Sequence, residues 1–162
     1  MRLLSRPMLA ADLPVLFEFQ LDPIAARMAA FMGGDFAKPT DVRRANYLAK
    51  FTRLLADPAI VSRTIEFEGR IVGLASSFPL MGDREVTYWI DRPHWGKGLA
   101  TFALRDLLAH DPIRPLHARA ASDNIGSRRV LEKAGFVRIG SEISMANARG
   151  AEIEETIYRL GR

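Results

Sequence analysis

The sequence predicts a single α/β domain over residues 1–162, with about seven strands and about four helices. The length suits one domain with a sizeable core, and no linker, repeat or low-complexity tract divides the chain. Hydrophobic residues make up 48% of the chain and charged residues 26%, which is typical of a globular protein. Strand and helix patterns follow one another in the order β, two helical segments, β-β-β, α, β, α, β-β. This order favours a mixed sheet covered by helices.

The first third of the chain predicts one strand followed by helical segments. Asp12 is a candidate cap for the first helix, and Asp22-Pro23 breaks that helix. Thr40 follows Pro39 and is a candidate N-cap for a longer helix. The predicted elements are a strand over residues 2–7 that ends before Pro7, and helical segments over 12–20, 24–31 and 40–56.

From Val61 onward the pattern changes to that of strands. Glu68-Gly69 predicts a two-residue hairpin turn, and residues 79–84 are predicted as a loop. Gly135 followed by Phe136 predicts a Schellman-type helix stop, and a slip in alternation at Glu154-Glu155 indicates a β-bulge. The predicted elements are strands over 61–67, 70–78, 85–90, 116–121, 136–146 and 151–160, and helices over 99–108 and 124–134.

Composition and charge exclude several classes of function. The chain has no cysteine, which excludes disulfides, thiolate metal sites and a cysteine nucleophile. Its three histidines, His94, His110 and His117, lack partnered carboxylate spacing, so no metal site is predicted. A net charge of +4 is too mild to argue for nucleic-acid binding. No apolar stretch is long enough for a signal peptide or a membrane span, so we expect a cytoplasmic protein without a membrane partner.

A glycine-rich turn separates the strand 85–90 from the helix that starts at Leu99. It reads Trp95-Gly96-Lys97-Gly98, and a turn of this kind before a helix N-terminus favours a phosphate. The spacing does not match a P-loop, and the third small residue and the distant acidic residue of a dinucleotide fingerprint are missing. Taken alone, the glycines fit equally well a turn that only leads into the helix.

Two motifs resemble those of one family. The stretch from Trp95 to Ala100 resembles the acetyl-CoA loop of the GNAT N-acetyltransferases, Gln/Arg-x-x-Gly-x-Gly/Ala, although Trp95 replaces the first Gln or Arg. The stretch from Asp123 to Phe136 resembles the family's helix pattern Asn-x-x-Ser/Ala…Glu-Lys-x-Gly-Phe. Both occur in the family's order, and the order of elements agrees along essentially the whole chain. The sequence is therefore identified as a member of the GNAT superfamily, and it looks like the branch of the ribosomal-protein alanine N-acetyltransferases.

This resemblance implies a fold and a reaction. The strands 85–90 and 116–121 would run parallel and splay apart at their C-terminal ends, with the pantetheine arm of acetyl-CoA in the opening. The acetyl group would pass directly to a primary amine, either of a small molecule or of a protein N-terminus. A backbone N–H near Ile90, at a strand bulge, would stabilise the oxyanion. The residues implied for acetyl-CoA binding are Ile90, Trp95, Gly96, Lys97, Gly98, Leu99, Ala100, Thr101 and Asn124.

The resemblance also implies candidate catalytic residues. Glu85 would remove the proton of the amine, and a solvated Glu at the start of a strand is the alternative reading. Many members of the family use a Tyr as general acid at the position of Leu131, so that group is missing here. Ser127 is the implied replacement as a hydrogen-bond donor to the thioester sulfur, and a serine that bonds its own helix backbone is the alternative. Arg128 and Arg129 are candidates for the 3′-phosphate of CoA.

The sequence leaves three functional readings and the identity of the acceptor open. The leading reading is an N-acetyltransferase that uses acetyl-CoA. A CoA-binding module with little turnover is the first alternative, and a nucleic-acid-associated protein ranks far lower. A homodimer is left open. The residues expected near the acceptor are Asp22, Met28, Phe31, Met32, Asp35, Phe36, Glu152, Glu154 and Glu155.

Overall fold

Seven strands and five α-helices make up the computed structural model, which describes residues 2–162. Short 3₁₀ turns at Ala10–Asp12 and Arg92–His94 precede α1 and the glycine-rich turn. The strands are β1 (Leu3–Pro7), β2 (Val61–Phe67), β3 (Arg70–Leu80), β4 (Asp83–Ile90), β5 (Leu116–Ala121), β6 (Val137–Ala146) and β7 (Ala151–Leu160). The helices are α1 (Leu13–Phe19), α2 (Pro23–Ala29), α3 (Thr40–Leu55), α4 (Leu99–His110) and α5 (Ile125–Lys133).

The strands form one mixed sheet in the order β1-β2-β3-β4-β5-β7-β6. All neighbours are antiparallel except β4 and β5, which run parallel. Along the described chain these two strands share a single ladder pair, Glu85 with His117. Beyond that pair they separate toward their C-terminal ends. The predicted fold class and the splayed parallel pair are both confirmed.

Helices cover both faces of the sheet. On one face α4 and α5 pack onto the main hydrophobic cluster, which includes Leu104, Leu116 and Tyr158, all fully buried. On the other face α1 and α3 enclose a second cluster around Phe17 and Tyr47. Removing a buried Leu side chain of this kind typically costs about 2–5 kcal/mol of unfolding free energy. The splay therefore lies between two independently packed layers that hold its walls in place.

Local signals place α5 as the sequence predicts. The Asn124 side chain accepts a hydrogen bond from the backbone N–H of Ser127 at 3.2 Å, so Asn124 is the N-cap. At the other end, the N–H of Phe136 donates to the carbonyl of Leu131 at 3.0 Å and that of Gly135 donates to Glu132 at 3.1 Å. These two bonds are those of a Schellman motif. Both ends of the helix are confirmed.

Helix starts in the first third differ from the prediction. Asp12 occupies the N-cap position of α1, as predicted, but its side chain makes no capping bond. Its buried carboxylate instead accepts hydrogen bonds from Arg6 at 2.8 Å and from Thr64 at 2.9 Å. Burial alone would raise the pKa of Asp12, but these bonds outweigh it and hold the pKa below its usual value. Thr40 is the first residue of α3 and does not cap it. The structure has five helices where about four were predicted. The predicted segment 24–31 is a separate helix, α2, because Asp22 caps it by accepting a hydrogen bond from the N–H of Ile24 at 2.9 Å.

The predicted loop over residues 79–84 is a hairpin. Strands β3 and β4 continue to a two-residue turn at Met81-Gly82, of the same kind as the confirmed turn at Glu68-Gly69. Pro79 is tolerated in β3 because its nitrogen points toward β2, whose pairing with β3 already ends at Val61. Likewise Pro7 forms the last residue of the edge strand β1.

The predicted β-bulge at Glu154-Glu155 is wrong. Pairing between β6 and β7 is regular through these residues, and the irregularity lies between Arg138 and Gly140 of β6. Glu155 points inward, where its carboxylate bonds to Arg119 at 2.7 Å. The slip in alternation therefore reflects a buried carboxylate paired with an exposed arginine and not an extra residue in the ladder.

Candidate active site

A cleft of about 1070 Å³ opens where β4 and β5 separate. Its walls combine the glycine-rich turn, the start of α5, the exposed parts of β3 and β4, and side chains from α1 to α3. The cleft thus joins the two motifs singled out in the sequence, although 22 residues separate them along the chain. A cavity with convergent polar groups at the C-terminal ends of sheet strands is a typical ligand site of α/β proteins.

The glycine-rich turn presents free backbone donors to this cleft. Gly96 and Gly98 both have φ of 77°, a left-handed conformation that side chains rarely adopt. A Cβ built on either glycine meets no atom within 4 Å, so the space above the turn is open. The first bond of α4 runs from the N–H of Phe102 to the carbonyl of Gly98, which leaves the three preceding N–H groups without helical partners. The arrangement suits a phosphate or pyrophosphate.

Most residues implied for cofactor binding lie at the cleft. The lining includes Ile90, Trp95, Gly96, Gly98, Leu99, Ala100, Thr101 and Asn124. The side chain of Leu99 is buried in the main cluster, so its backbone is the part available to a ligand. Lys97 lies outside the lining, with its ammonium 5.4 Å from the centre of the Phe67 ring. The Trp95 indole N–H donates to the carbonyl of Ile90 at 2.7 Å and thereby fastens the turn to the end of β4.

The backbone N–H of Ile90 points into the splay, although no bulge puts it there. Pairing of β3 with β4 is regular from Asp83 to Ile90, which contradicts the expected bulge. The N–H of Asp91 donates to Val72 on β3 at 2.7 Å. Because N–H directions alternate along an antiparallel strand, the N–H groups of Ile90 and Tyr88 face the opposite edge, toward β5. The splay itself leaves these donors without a ladder partner.

Glu85 stands at the vertex of the splay. It forms the one β4–β5 pair with His117, and its side chain is 11% exposed. Burial raises the pKa of Glu85 above its ordinary value, and Arg119, with its Nε 3.7 Å from the carboxylate, together with His117 opposes that shift. A carboxylate with a raised pKa at the base of a cleft is suited to accept a proton near neutral pH. Its burial rules out a freely solvated strand end.

Ser127 lies on the other face of the sheet, together with Tyr88. The Tyr88 hydroxyl lies 2.8 Å from Ser127 Oγ and 3.0 Å from the Ser127 carbonyl oxygen. Burial raises the pKa of Tyr88 to about 12, so this phenol stays protonated and acts as a donor. The Asn124 amide N–H₂ donates to the carbonyl of Met28 at 3.1 Å, which ties α5 to α2. Ser127 is thus held by a side-chain partner and not only by its own helix.

The alternation of β4 separates these groups. Glu85, Thr87 and Trp89 point to the face of α1–α3, and Tyr88, with Val86 and Ile90, points to the face of α4 and α5. A molecule lying in the splay would therefore have Glu85 on one side and Ser127 with Tyr88 on the other. Tyr88 was not among the site residues predicted from the sequence. The predicted strand 85–90 contains it, but its partner Ser127 lies 39 residues further along the chain, and no local pattern connects the two.

Most of the remaining candidate residues make contacts within the protein, and one is exposed at the cleft. Arg128 donates to the Tyr158 hydroxyl at 3.1 Å and to the carbonyl of Ser122 at 3.0 Å, whereas Arg129 is exposed at the cleft. His110 bonds the backbone of α4, and His94 packs edge-on against Phe67.

The residues expected near the acceptor also divide into two sets. Met28, Phe31, Met32 and Glu155 line the cleft. Four others have different partners or lie in the open: Phe36 stacks beneath Arg43, Asp35 caps a turn, Glu154 bonds Ser122 and Glu152 is exposed. Asp22 pairs with Arg92 at 2.5 Å.

Two further findings concern residues 2–162 as a whole. None of their helices is both long and apolar enough to cross a bilayer. They contain no group of three or more His, Cys, Asp or Glu side chains placed to hold a metal ion.

Comparison with known proteins identifies the family. The family model of the acetyltransferase (GNAT) domain matches residues 2–137, which is most of the chain. The chain belongs to the GNAT acetyltransferases. A probable N-acetyltransferase of Bacillus subtilis (strain 168), YjcK, is 36% identical over 81 residues. That match covers 45% of this chain and 45% of the relative, so the chain spans less than half the length of the curated protein that it matches.

Solved structures show the same fold over nearly the whole chain. A putative phosphinothricin N-acetyltransferase superposes with a TM-score of 0.80 at 24% identity, covering 98% of this chain and 97% of that one. RimL, a ribosomal L7/L12 α-N-protein acetyltransferase solved with coenzyme A, superposes with a TM-score of 0.77 at 18% identity, covering 98% and 93%. Ribosomal-protein acetyltransferases are therefore one of several types of structural neighbour. The fold is shared by all of them, and the branch is not decided by it.

Proposed function

We propose that this protein is an N-acetyltransferase that moves the acetyl group of acetyl-CoA directly to a primary amine. The observation that carries the proposal is the splay, with a carboxylate on one side and a hydroxyl pair on the other. The GNAT family assignment and the CoA complex of the RimL neighbour support acetyl-CoA as the co-substrate. The acceptor belongs to a small molecule or to a protein N-terminus, and a cytoplasmic location stays a prediction of the sequence.

In the proposed reaction the chain supplies three functions around the splay. Glu85 takes the proton that the amine loses as its nitrogen bonds to the acetyl carbon. The N–H of Ile90 donates to the oxyanion that develops on the acetyl oxygen. As the carbon–sulfur bond breaks, the sulfur leaves as a thiolate that accepts a hydrogen bond from Ser127. The products are the acetylated amine and CoA, whose thiolate then takes a proton from solvent.

Cofactor binding is assigned to the glycine-rich turn. The N–H groups at the start of α4 would hold the pyrophosphate, and Gly98 leaves the space above them open. Val at this position adds a β-branched side chain in that space, so we expect Gly98→Val to abolish CoA binding in calorimetry. Because φ of 77° also strains any Val, the matched control is Gly69→Val, which has φ of 79°, equally open space and a place outside the cleft.

The control separates backbone strain from the loss of the phosphate site. Gly69→Val should unfold at a lower temperature by about as much as Gly98→Val and still bind CoA like the parent. If Gly98→Val bound CoA as tightly as Gly69→Val, the turn would not be the phosphate site. The alternative of a CoA-binding module with little turnover rests on the family resemblance, which implies a tyrosine as general acid at the position of Leu131. Consumption of acetyl-CoA in the presence of amines separates the two functions.

A further inference from the structure

Five apolar side chains of the cleft, one of which pairs directly across from Glu85, form what we call the acceptor chamber. All five line the cleft and all are only half-buried. They come from α3, from the residue just before β2, and from β3 and β4. The residues of the acceptor chamber are Leu54, Ile60, Leu74, Phe78 and Trp89.

The acceptor chamber has no packing role in the protein's own core. Within residues 2–162, none of its five side chains belongs to the three hydrophobic clusters or packs directly against them. Large apolar side chains left half-exposed in a concave surface are typical of a ligand site and not of a free surface. The chamber is therefore suited to cover an apolar group that is not part of this chain.

The acceptor chamber is adjacent to the proposed base. Phe78 pairs directly across from Glu85, and Leu74 pairs across from Trp89, in the antiparallel ladder of β3 and β4. Side chains of such pairs stand on the same face with Cβ atoms about 5 Å apart. An amine nitrogen at Glu85 would therefore place the first part of its carbon substituent on Phe78, and a longer substituent would extend along the two strands toward Leu74 and Trp89.

The charges of the cleft oppose a second cationic group on the acceptor. Its described lining contains two carboxylates, those of Glu85 and Glu155. Arg119 lies against both, with its guanidinium 3.7 Å and 2.7 Å from them. The two serines beside the chamber, Ser62 and Ser76, are bonded to each other at 3.0 Å. Of the two carboxylates in the described lining, Glu155 is hydrogen-bonded to Arg119, so Glu85 is the less engaged one and the carboxylate better placed to meet an ammonium.

We infer that the acceptor is a primary amine carried on an apolar body, an alkyl or aryl group, that fills the acceptor chamber. A polyamine, by contrast, would bring a second charge against apolar walls that offer it no partner. This inference rests on the acetyltransferase function proposed above and adds the class of amine to it.

The test is a comparison of kcat/KM for a series of amines with the intact protein and acetyl-CoA. The series runs from propylamine to hexylamine, with phenethylamine and spermidine added. Each methylene that enters the chamber should raise kcat/KM about fourfold, the equivalent of about 0.8 kcal/mol for a buried CH₂. The kcat/KM for phenethylamine should exceed that for spermidine by at least the same factor of about four. A flat series, or spermidine as the better substrate, would overturn the inference while leaving the acetyltransferase function intact.

A pair of variants assigns the effect to the acceptor chamber. Phe78→Ala should flatten the chain-length dependence, whereas Ile71→Ala, on the same strand but outside the cleft lining, should keep the parent's slope. Melting temperatures of both variants show that each is folded, and Leu74→Ala serves as a second chamber variant. An unchanged slope in both chamber variants would contradict the inference. If no amine of any class were acetylated, the proposed function would fail and the inference with it.

Discussion

Replacing Glu85 by Gln tests whether the buried carboxylate at the vertex of the splay removes the proton of the amine. Gln keeps the size and the hydrogen-bonding reach of Glu but cannot accept a proton. Loss of a general base typically lowers the rate by a factor of about 100 or more. We therefore expect kcat near pH 7 to fall by at least that factor. The affinity for acetyl-CoA should stay unchanged, because Glu85 lies on the opposite face of β4 from Tyr88 and Ser127 and away from the glycine-rich turn.

The sign of the pKa shift gives this variant a built-in stability control. Burial raises the pKa of Glu85, so the stabilising contribution of this group is present below its unfolded pKa and is lost as pH rises through its folded pKa. Ionisation of Glu85 therefore destabilises the fold, and Glu85→Gln, which cannot ionise, should unfold at the same temperature as the parent or at a higher one. A slow enzyme that is no less stable cannot be explained by unfolding.

The assay is a pH–rate profile of parent and variant with one amine, followed by release of the CoA thiol. The deficit of Glu85→Gln should shrink as pH rises, because a growing fraction of the amine is then already neutral. Glu155→Gln is the matched control: it removes a carboxylate from the same cleft that is also buried and also paired with Arg119, at 2.7 Å where Glu85 is at 3.7 Å. The decrease in kcat of Glu155→Gln should stay well below the roughly hundredfold decrease expected when a general base is removed. Equal rates for Glu85→Gln and the parent at every pH would refute the assignment.

Two further predictions concern the thiolate donor and the stability of the sheet. Tyr88→Phe and Ser127→Ala should each lower kcat by roughly tenfold to a hundredfold, which corresponds to the loss of a hydrogen bond to a charged group. Because both residues act through one hydrogen bond, the double variant should lose no more activity than the more impaired single variant. Additive losses in a double-mutant cycle would show that the two residues act independently and would contradict this prediction. Asp111→Ala should lower the unfolding free energy in urea by about 3–5 kcal/mol, because it leaves the buried Arg84 charge unpaired. Burial would raise the pKa of Asp111, but hydrogen bonds from Ser77 and Arg84 outweigh burial and lower that pKa. The stabilisation by the Asp111 carboxylate should therefore be present above about pH 4 and be lost in acid. If the unfolding free energy of parent and variant depended on acid pH in the same way, this prediction would be contradicted.

Local chemistry accounts for what the sequence predicted correctly about the fold. The turn at Glu68-Gly69, the Asn124 cap and the stop at Gly135 each depend on residues within about five positions of one another. Predictions failed where a side chain's position depends on a partner that is distant in the sequence. Asp12 is drawn away from α1 by Arg6 and Thr64, and Glu155 is held inward by Arg119. No pattern within a few residues contains that information.

The same distinction between local and distant contacts holds for the candidate site. The glycine-rich turn is contiguous, so its position and its open backbone could be predicted from its residues alone. Glu85 could be placed at the start of a strand, but its burial depends on β5 and on Arg119. The contact of Tyr88 with Ser127 joins β4 to α5 across the splay, and only the packing of α5 brings the two hydroxyls to 2.8 Å. The roles assigned to Glu85, Ser127 and the cofactor-binding residues stay predictions.

The most direct test of the account is whether the protein transfers acetyl groups. The intact chain is incubated with acetyl-CoA and hexylamine, thiol release is followed, and the products are identified by mass spectrometry. We predict that free CoA and N-acetylhexylamine appear in equal amounts and that neither forms with the Glu85→Gln variant at a comparable rate. Acetyl-CoA that binds, by calorimetry, but keeps its thioester intact with every amine tested would contradict the account and leave a CoA-binding module in its place.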